Sequence, residues 1–184
     1  MGKREPVKIA KTAIVDKKAK IGKGTVVWNF AQIMHDAKVG EDCVIGNGVF
    51  IDRKVVIGNN VKVMNKALIF RGVRIGDDCF IGPQACFIND KNPRSSRTRP
   101  ISSPKWSVGK GASIGAGALI LSDVSIGKYA LVGAGAVVTK DVKDHCFVAG
   151  NPARLMGYAC YCGEKLKKTR NGYYCDPCSK FIKI

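Results

Sequence analysis

A large apolar residue recurs at every sixth position over most of the first half of this chain. Fourteen of them follow one another without a break: Ile9, Val15, Ile21, Val27, Ile33, Val39, Ile45, Ile51, Ile57, Val63, Ile69, Ile75, Ile81 and Phe87. From Val15 onward, a small or β-branched residue stands two places before each. An α-helix repeats every 3.6 residues and a strand every two, so a period of six indicates short strands separated by corners. The sequence therefore predicts a parallel β-helix built from six-residue repeats.

The same period resumes in the second half of the chain. Large residues return at Val108, Ile114, Ile120, Ile126, Val132 and Val138, and the small slot holds Ala112, Ala118, Val124, Ala130, Ala136 and Val142. A single repeat is too short to bury its own apolar face, so each must stack on the next coil. We therefore expect one continuous apolar column as the core.

The segment between the two halves leaves the period. Phe87 and Val108 are 21 residues apart, which is one repeat plus fifteen residues. Three prolines and the lack of an apolar period predict a loop over residues 89–106. Long loops in compact folds are usually functional or disordered. The three arginines Arg94, Arg97 and Arg99 suit recognition of phosphate or carboxylate groups.

The charge of the chain is strongly positive, with 31 Lys and Arg against 14 Asp and Glu, giving +17. This excess indicates an anionic partner, such as nucleic acid, an acidic membrane or a phosphorylated small molecule, or a solvated surface that only aids solubility. The chain contains no run of 18 apolar residues, and its first residues lack the apolar core of a signal peptide. We expect a cytoplasmic protein without a membrane span, in which residues 1–8 form a basic leader.

One column of outward side chains is rich in cations. If three six-residue repeats close one coil, as in the hexapeptide-repeat acyltransferases that this chain resembles, then Lys17, His35, Arg53, Arg71 and Asn89 lie above one another. Successive members would lie about 5 Å apart, and stacked like charges repel. Arg53 beneath Arg71 therefore suggests a pyrophosphate ligand or bridging by the acids Asp52 and Asp90, and a solvated face is the other interpretation.

Two glycine pairs are also eighteen residues apart. They are Gly115 with Gly117 and Gly133 with Gly135. Paired glycines at a corner leave backbone groups open to a close ligand, although a tight corner alone would also favour glycine.

Four cysteines lie near the C-terminus. Cys160 and Cys162 precede Cys175 and Cys178, and Asn171-Gly172 between the pairs predicts a hairpin. Two cysteine pairs joined by a hairpin indicate a zinc ribbon over residues 156–184, with four thiolates completing a structural site; disulfides are the alternative. Cys43 and Cys79 occupy the small slot and are predicted to pack in the core.

Roughly residues 7 to 155 resemble the left-handed parallel β-helix of the hexapeptide-repeat acyltransferases, in which three repeats make a coil of eighteen residues. The left-handed sense follows from this resemblance, since ordinary crossovers are right-handed. The resemblance implies an all-β chain with a β-helix domain over residues 9–155, an extruded loop that covers the active site, and trimers with active sites between subunits.

The end of the repeat resembles the closing signature of hexapeptide acetyltransferases that use acetyl-CoA. The matching residues are 132–142 (VGAGAVVTKDV) and 150–154 (GNPAR). In that family these coils line the coenzyme groove. The resemblance implies that Gly115, Gly117, Gly133, Ala134, Gly135, Lys140, Gly150 and Arg154 lie near the coenzyme.

Three segments resemble N-acetyltransferases that acylate an amino group of a nucleotide-diphosphate sugar for surface glycans. They are residues 25–32 (TVVWNFAQ), residues 87–95 (FINDKNPRS) and the Cys-X-Cys-Gly tail. The resemblance implies that Asn89 holds the acceptor amine and acts in catalysis. Substrate contacts are expected from Trp28, Asn29, Gln32, Arg53, Arg71, Asn89 and Arg94. Asn29 replaces a histidine and Phe70 a tyrosine that are common in relatives, and both differences could alter the accepted sugar.

The scarcity of histidine favours an amine acceptor. A hydroxyl with a pKa near that of water needs a positioned base, usually His, whereas an amine with a pKa of about 8 can attack a thioester directly. The chain has only His35 and His145, which is also too few for the three zinc-binding histidines of a carbonic anhydrase on this fold. A sugar O-acetyltransferase and a basic nucleic-acid-binding scaffold remain the alternatives, the second being disfavoured by the closing signature at residues 150–154.

Overall fold

The computed structural model describes residues 5–90, 92–96 and 106–184, and within these ranges all regular structure is β-strand. The six-residue repeats form a triangular prism. Successive repeats place short parallel strands on a first, a second and a third face in turn. The all-β prediction is confirmed, and none of the described residues forms a helix that could cross a membrane.

The strands are named in chain order. The first face holds β1 (Lys8–Ile9), β4 (Val26–Val27), β7 (Val44–Ile45), β10 (Lys62–Val63), β13 (Phe80–Ile81), β16 (Ser113–Ile114), β19 (Leu131–Val132), β21 (Cys146–Ala149) and β22 (Arg154–Tyr158). The second face holds β2 (Ile14–Val15), β5 (Gln32–Ile33), β8 (Phe50–Ile51), β11 (Leu68–Ile69), β14 (Cys86–Phe87), β17 (Leu119–Ile120) and β20 (Val137–Val138). The third face holds β3 (Lys20–Ile21), β6 (Lys38–Val39), β9 (Val56–Ile57), β12 (Val73–Ile75), β15 (Trp106–Val108) and β18 (Ser125–Ile126). A tail sheet contains β23 (Lys167–Thr169), β24 (Gly172–Cys175) and β25 (Lys180–Ile182).

The register between coils explains the apolar column. Ile33 pairs with Ile51, and Ile51 with Ile69, so residues eighteen apart lie directly above one another. All three are fully buried. Ile9 in the first coil is 47% exposed, because no described coil lies beneath it. The predicted apolar core is confirmed.

The small slot is filled as the sequence predicts. Cys43 and Cys79 are buried there, and their thiols donate to the carbonyl oxygens of Gly58 at 3.2 Å and Gly109 at 3.1 Å. Burial raises the pKa of Cys79 to about 11, so this thiol stays protonated.

The three corners of the prism are named by the faces that they join. The first corner joins the first face to the second, the second corner joins the second to the third, and the third corner closes the coil. Corner residues often adopt left-handed backbone, as at Asp36 with φ of 60° and Lys54 with φ of 61°. At the third corner, side chains also link each coil to the next. Asn59 Oδ1 accepts from the N–H of Glu41 at 2.8 Å, and Asp77 Oδ1 accepts from the N–H of Asn59 at 2.8 Å.

The interruption of the repeat is a loop that leaves the second corner. After it, Val108 pairs with Ile75, so the chain re-enters where the next repeat would have stood. Residues 91 and 97–105 lie outside the described residues, and so do Arg97 and Arg99. The predicted end of the loop at residue 106 is wrong. Trp106 pairs with Val73 in β15, is 2% exposed and stacks on Phe87 with 6.0 Å between ring centroids. A large ring in a slot that elsewhere holds small residues hides the return of the repeat.

The last coil is shorter than the others. Val142 pairs with Ile126, and Val148 pairs with Val132, a separation of sixteen residues instead of eighteen. The assignment of Val142 to the small slot is therefore wrong, because the shortened coil moves it into the large slot. The small slot of this coil is taken by the buried Cys146.

The first-face sheet extends beyond the predicted domain boundary at residue 155. β22 runs antiparallel to β21 as the ninth strand of the first face and continues to Tyr158. The tail sheet follows, and the predicted Asn171-Gly172 hairpin joins β23 to β24.

Candidate active site

The second corner carries the predicted column of outward residues. Val15, Ile33, Ile51, Ile69 and Phe87 are in register, so Lys17, His35, Arg53, Arg71 and Asn89 follow them in five stacked coils. The register continues from Phe87 to Ile120 and Val138. Ser122 and Lys140 therefore extend the same column. Sequence reasoning missed Ser122 because the column was followed only as far as Asn89, where the loop interrupts the period; counting eighteen back from Lys140 would have found it.

Asn89 lies where the chain leaves the prism. The last bond of the ladder beside it is from the N–H of Ile88 to Ile120 O, at 2.8 Å. Beyond Asn89, the carboxylate of Asp90 accepts from the N–H of Asn92 at 2.9 Å, which starts the loop with a tight turn. Asn89 is half-buried and Ser122, one coil above, is 5% exposed. The ladder bond of Ile88 on one side and the bond between Asp90 and Asn92 on the other thus flank Asn89.

The two predicted arginines share one acid. Asp52 accepts from the backbone N–H of Arg53 at 2.7 Å and from that of Arg71 at 3.1 Å. These bonds tie the two coils together at the corner. Arg53 is exposed and Arg71 is half-buried. Their backbones are about 4.8 Å apart, the spacing of neighbouring strands. Arg94, on the loop, donates to its neighbour Pro93 O at 3.0 Å.

Neither histidine lies beside Asn89 within one protomer. His35 follows β5, and Asn89 follows β14, three strands above it on the second face. The backbones of His35 and Asn89 are therefore about 14 Å apart by strand spacing. Its Nδ1 lies 3.0 Å from Asp36 Oδ2, and this hydrogen bond lowers the pKa of Asp36. His145 is buried at the third corner, with Nδ1 at 2.9 Å from Ala159 O. The second corner can thus orient an amine but offers no imidazole base near Asn89.

A cavity of about 500 Å³ opens at the upper end of the prism. Its walls are Val138, Thr139, Lys140, Asp141, Val142, Lys143, Cys146, Val148, Ala153, Arg154, Leu155 and Tyr158. The buried valines come from the three faces of the last coil, while Lys140, Lys143 and Arg154 are exposed. The volume lies within the range of ligand pockets. Lys140 and Arg154, both predicted to approach the coenzyme, line this one cavity.

The first corner carries the other predicted substrate residues. Trp28 is 48% exposed and borders a second cavity of about 210 Å³. Asn29 Oδ1 accepts from Thr12 Oγ1 at 2.8 Å, and Gln32 points outward from β5. Trp28 and Asn29 lie across the second face from Arg53, Arg71 and Asn89, and Gln32 lies on that face itself. Within one chain, the first-corner residues are therefore separated from Asn89 by the width of a face.

The predicted glycines stack at the first corner, and each has a backbone reason to be glycine. A Cβ on Gly115 would lie 2.4 Å from Ala134 N, and one on Gly133 would lie 2.9 Å from Ala149 Cβ. Gly117 and Gly135 have φ of 65° and 66° with open space around them. Gly150, on the turn that follows β21, has φ of 95°. Corner geometry therefore favours glycine at these places but does not require it, because Trp28, Phe30, Met64 and Lys66 hold the equivalent places in lower coils.

The backbone N–H groups of the alanines between the glycines are better candidates than those of the glycines for hydrogen bonds to a ligand. The four glycine N–H groups already donate to neighbouring coils, to Val132, Pro83, Val148 and Ala116. Lower on this corner, the N–H in the same place belongs to Asn47 and is accepted by Asn65 Oδ1 at 2.9 Å. Ala116 stands beneath Ala134, whose side chain has no acceptor. Among the described residues, none accepts from the N–H groups of Ala116 and Ala134, so both can donate to a ligand.

The four tail cysteines converge. All four Sγ atoms lie within 4.8 Å of one another, with Cys160 and Cys178 3.8 Å apart and Cys162 and Cys175 3.6 Å apart. A tetrahedral zinc with bonds of 2.3 Å requires sulfur–sulfur edges of about 3.8 Å. A hydrogen bond from the Glu164 N–H lowers the pKa of Cys162 to about 7, whereas hydrogen bonding to the neighbouring thiols raises the pKa of Cys178 to about 12. Without a metal, the first proton therefore leaves from Cys162. The donor set fits one four-coordinate zinc and leaves no position for a water.

Comparisons with known proteins place this geometry in a family. The sequence model for the bacterial transferase hexapeptide (six repeats) matches residues 18–53, 54–89 and 107–140, and the gap before the third match is the loop. A dTDP-3-amino-3,6-dideoxy-alpha-D-galactopyranose 3-N-acetyltransferase from Aneurinibacillus thermoaerophilus is 46% identical over 171 residues, 93% of this chain and 88% of that protein.

Solved structures with the same fold include two acetyltransferases with bound ligands. A perosamine N-acetyltransferase from Caulobacter crescentus, a mutant in complex with CoA and GDP-perosamine, is 26% identical with a TM-score of 0.55, over 84% of this chain and 58% of that one. The acetyltransferase domain of PglB from Neisseria gonorrhoeae, in complex with acetyl coenzyme A, is 26% identical with a TM-score of 0.58, over 84% of this chain and 60% of that one. This chain thus spans less than two thirds of either structure.

A third structure bears on the fold alone. The UDP-N-acetylglucosamine acyltransferase LpxA from Bacteroides fragilis is 19% identical with a TM-score of 0.71, over 84% of this chain and 62% of that one. Superposition distinguishes a coil from its mirror image, so the match agrees with the predicted left-handed sense. The chain belongs to the bacterial hexapeptide transferase family, and its fold is that family's left-handed parallel β-helix.

Proposed function

We propose that this protein transfers the acetyl group of acetyl-CoA to an amino group of a nucleotide-diphosphate sugar, for surface glycan or polysaccharide synthesis. The observation that carries the proposal is the 46% identity, across 93% of the chain, to an N-acetyltransferase of a dTDP-linked 3-amino sugar. The second corner supports it, since Asn89 stands in a column with Arg53 and Arg71 and without a histidine in reach.

The proposed reaction uses orientation and needs no protein base. Asn89 Oδ1 accepts a hydrogen bond from the neutral amine and aims its lone pair at the thioester carbon. The new C–N bond forms as the C–S bond breaks, and the amine's proton passes to the departing CoA thiolate. The carbonyl oxygen gains negative charge during the attack. The free N–H of Ala116 or Ala134 is suited to stabilise that charge.

The acceptor and donor bind to different surfaces in this proposal. Arg53, Arg71 and Arg94 contact the diphosphate, while Trp28, Asn29 and Gln32 contact the substrate from across the second face. The coenzyme runs along the glycine corner to the 500 Å³ cavity, whose valine floor suits an apolar arm. Lys140 and Arg154 at its rim suit the coenzyme phosphates.

A homotrimer would bring the two substrate groups together. The outward residues of the second face are Ile14, Phe50, Leu68, Cys86, Leu119 and Val137, with Gln32 among them. Those of the first face are mixed, with Val26, Val44, Phe80, Leu131 and Phe147 beside Lys8, Lys62 and Ser113. The third face presents Lys20, Lys38, Arg74, Ser107 and Ser125, with Val56 as its apolar member. The largely apolar second face, and the apolar residues of the first, suit subunit contacts. Sedimentation should give a mass of three chains, and a monomer would contradict this part of the proposal.

We further propose that the four tail cysteines bind one structural zinc ion. Elemental analysis of the purified protein should find one zinc per chain, lost in Cys175→Ser and retained in Cys86→Ser. Absence of zinc together with disulfides in the tail would contradict the site. Because acetyl-CoA and nucleotide sugars are cytoplasmic metabolites, we also infer that the enzyme works in the cytoplasm.

The test of the function is product formation with matched acceptors. Acetyl-CoA is offered with dTDP- and UDP-linked amino sugars and with the corresponding hydroxyl sugars, and free CoA is measured by chromatography. We expect CoA release with amino sugars only. Release with hydroxyl sugars would instead favour O-acetylation with the His35–Asp36 pair, supplied by a neighbouring subunit, as the base. Silence with both, together with salt-sensitive binding of RNA or DNA, would contradict enzymatic function.

A further inference from the structure

The cysteine tail is attached to the last coil by aromatic contacts. Tyr161, between two of the cysteines, packs edge-on against Tyr129 and His145, each with 4.6 Å between ring centroids. His145 makes two hydrogen bonds with Ala159. Its Nδ1 lies close to Ala159 O, and its backbone carbonyl accepts from the N–H of Ala159 at 2.7 Å. The tail is therefore anchored at the third corner of the prism.

A second contact reaches the wall of the large cavity. Tyr173 of β24 packs against Tyr158 with 4.6 Å between ring centroids. Tyr158 lines the 500 Å³ cavity together with Arg154 of the same strand. The N–H of Leu166, also in the tail, donates to Tyr158 O at 2.8 Å. The outer wall of the cavity is thus supported from behind by the tail.

The tail has little apolar material to hold itself together. Its buried cluster consists of Cys160, Cys175 and Ile182, with Leu166 and Cys178 packed against them. Three of these five residues are cysteines of the metal site. A core this small does not usually fold without a metal or disulfide, so the position of β24 depends on what the four cysteines bind.

We propose that Tyr173 is a positioning residue for the coenzyme cavity, and that metal binding by the four cysteines holds it against Tyr158. Zinc occupancy then sets the affinity of the cavity for its ligand, although the zinc lies outside the cavity. The identity of that ligand as the coenzyme rests on the proposed function. The support of the wall by the tail does not.

The chain offers a matched control one residue away. Tyr174 is on the same strand but packs on Phe181 inside the tail, with 5.0 Å between ring centroids. In the zinc-loaded full-length protein, Tyr173→Ala should weaken CoA binding in calorimetry by about three- to tenfold, the size of one aromatic pair. Tyr174→Ala should bind CoA as the wild type does. Tyr173→Phe should restore binding, and each variant should retain its zinc.

The enzyme kinetics and a ligand-free readout complete the test. Tyr173→Ala should raise KM for acetyl-CoA while leaving kcat unchanged. Hydrogen exchange of Arg154–Tyr158 in the ligand-free protein should accelerate in Tyr173→Ala and after chelation of the metal, but not in Tyr174→Ala. Equal exchange and equal CoA affinity in the two alanine variants would overturn the proposal. If the wild type binds no CoA, the proposed function fails, and the exchange measurement alone still decides whether Tyr173 supports the wall.

Discussion

The first and second corners of this prism obey the same six-residue repeat, yet they carry different residues. At the first corner the upper coils are Gly115-Ala116-Gly117 and Gly133-Ala134-Gly135, where the only side chains are the exposed methyl groups of Ala116 and Ala134. At the second corner, long polar side chains stand in one column that includes Arg53, Arg71, Asn89 and Lys140. The repeat requires an apolar residue and a small residue inside every coil. It leaves the outward corner residues to be chosen by function.

The difference separates two kinds of constraint. The glycines at the first corner are limited by the coil above or by left-handed backbone, so changes to them should reduce stability first. Asn89 and Lys140 at the second corner are not part of the apolar core, so changes to them should reduce activity without unfolding the prism.

The largest effect is expected at Asn89. Asn89→Ala removes the group that orients the acceptor amine, and kcat should fall by about 10²- to 10³-fold, comparable to the loss of one well-placed polar group elsewhere. The melting temperature should stay close to that of the wild type. Asn60→Gly is the control, because it removes an exposed amide from the third corner at a left-handed position, φ of 53°, that glycine adopts freely. Full activity in Asn89→Ala would remove the second corner from the mechanism.

The next largest effect is expected for the glycines. Gly115→Ala places a methyl group where Ala134 N is 2.4 Å away, so the free energy of unfolding should fall by about 1–3 kcal/mol. Gly117→Ala meets no atom but keeps a left-handed backbone with φ of 65°, so its cost should be about 1 kcal/mol. Chemical denaturation measures both. An unchanged free energy of unfolding in Gly117→Ala, with KM for acetyl-CoA raised tenfold, would mean that coenzyme contact and not backbone conformation selects glycine there.

Lys140 should affect binding of the coenzyme alone. Lys140→Ala removes one cation from the cavity rim, so the affinity for acetyl-CoA should fall about tenfold, with a larger loss at low salt. Lys128→Ala at the third corner is the control, since Lys128 is exposed and lies outside the cavity. Calorimetry at two salt concentrations distinguishes the variants. Equal affinities would show that the rim does not hold the phosphates.

Phe30 should give the smallest effect, and in the stabilising direction. It is 66% exposed and has φ of 59°, a backbone region that bulky residues avoid. In a chain that makes no subunit contact, Phe30→Gly should raise the free energy of unfolding by about 1 kcal/mol, because glycine adopts a left-handed backbone without steric cost. Lower stability in this variant would mean that the exposed ring is covered, as a subunit contact would cover it.

The sequence predicted the core because core positions repeat. Ile51 is buried for the same reason as Ile33 and Ile69, so one rule assigns all three. Prediction failed where the rule is interrupted. Trp106 occupies a small slot, and the coil that contains Val142 is two residues short, so neither position could be assigned by counting sixes. Lys140 was assigned to the coenzyme and Asn89 to the acceptor, but their shared column was hidden by the fifteen extra residues between them.

Other parts of the site depend on contacts that no period encodes. The N–H groups of Ala116 and Ala134 can donate to a ligand because no side chain of the described residues accepts from them. Lower on the same corner, Asn65 accepts from the N–H of Asn47. The contact of Tyr173 with Tyr158 joins two segments that share no repeat. The four cysteines, in contrast, were predictable, because their paired spacing around a hairpin is local.

A crystal structure of the complex with CoA and a dTDP-linked 3-amino sugar tests the central assignment most directly. We expect the sugar amine to lie about 3 Å from Asn89 Oδ1, with the coenzyme sulfur beside the amine. The phosphates of the coenzyme should lie near Lys140 and Arg154. An amine bound at the first corner, against Gly117 and Gly135 and remote from every Asn89 of the assembly, would contradict it.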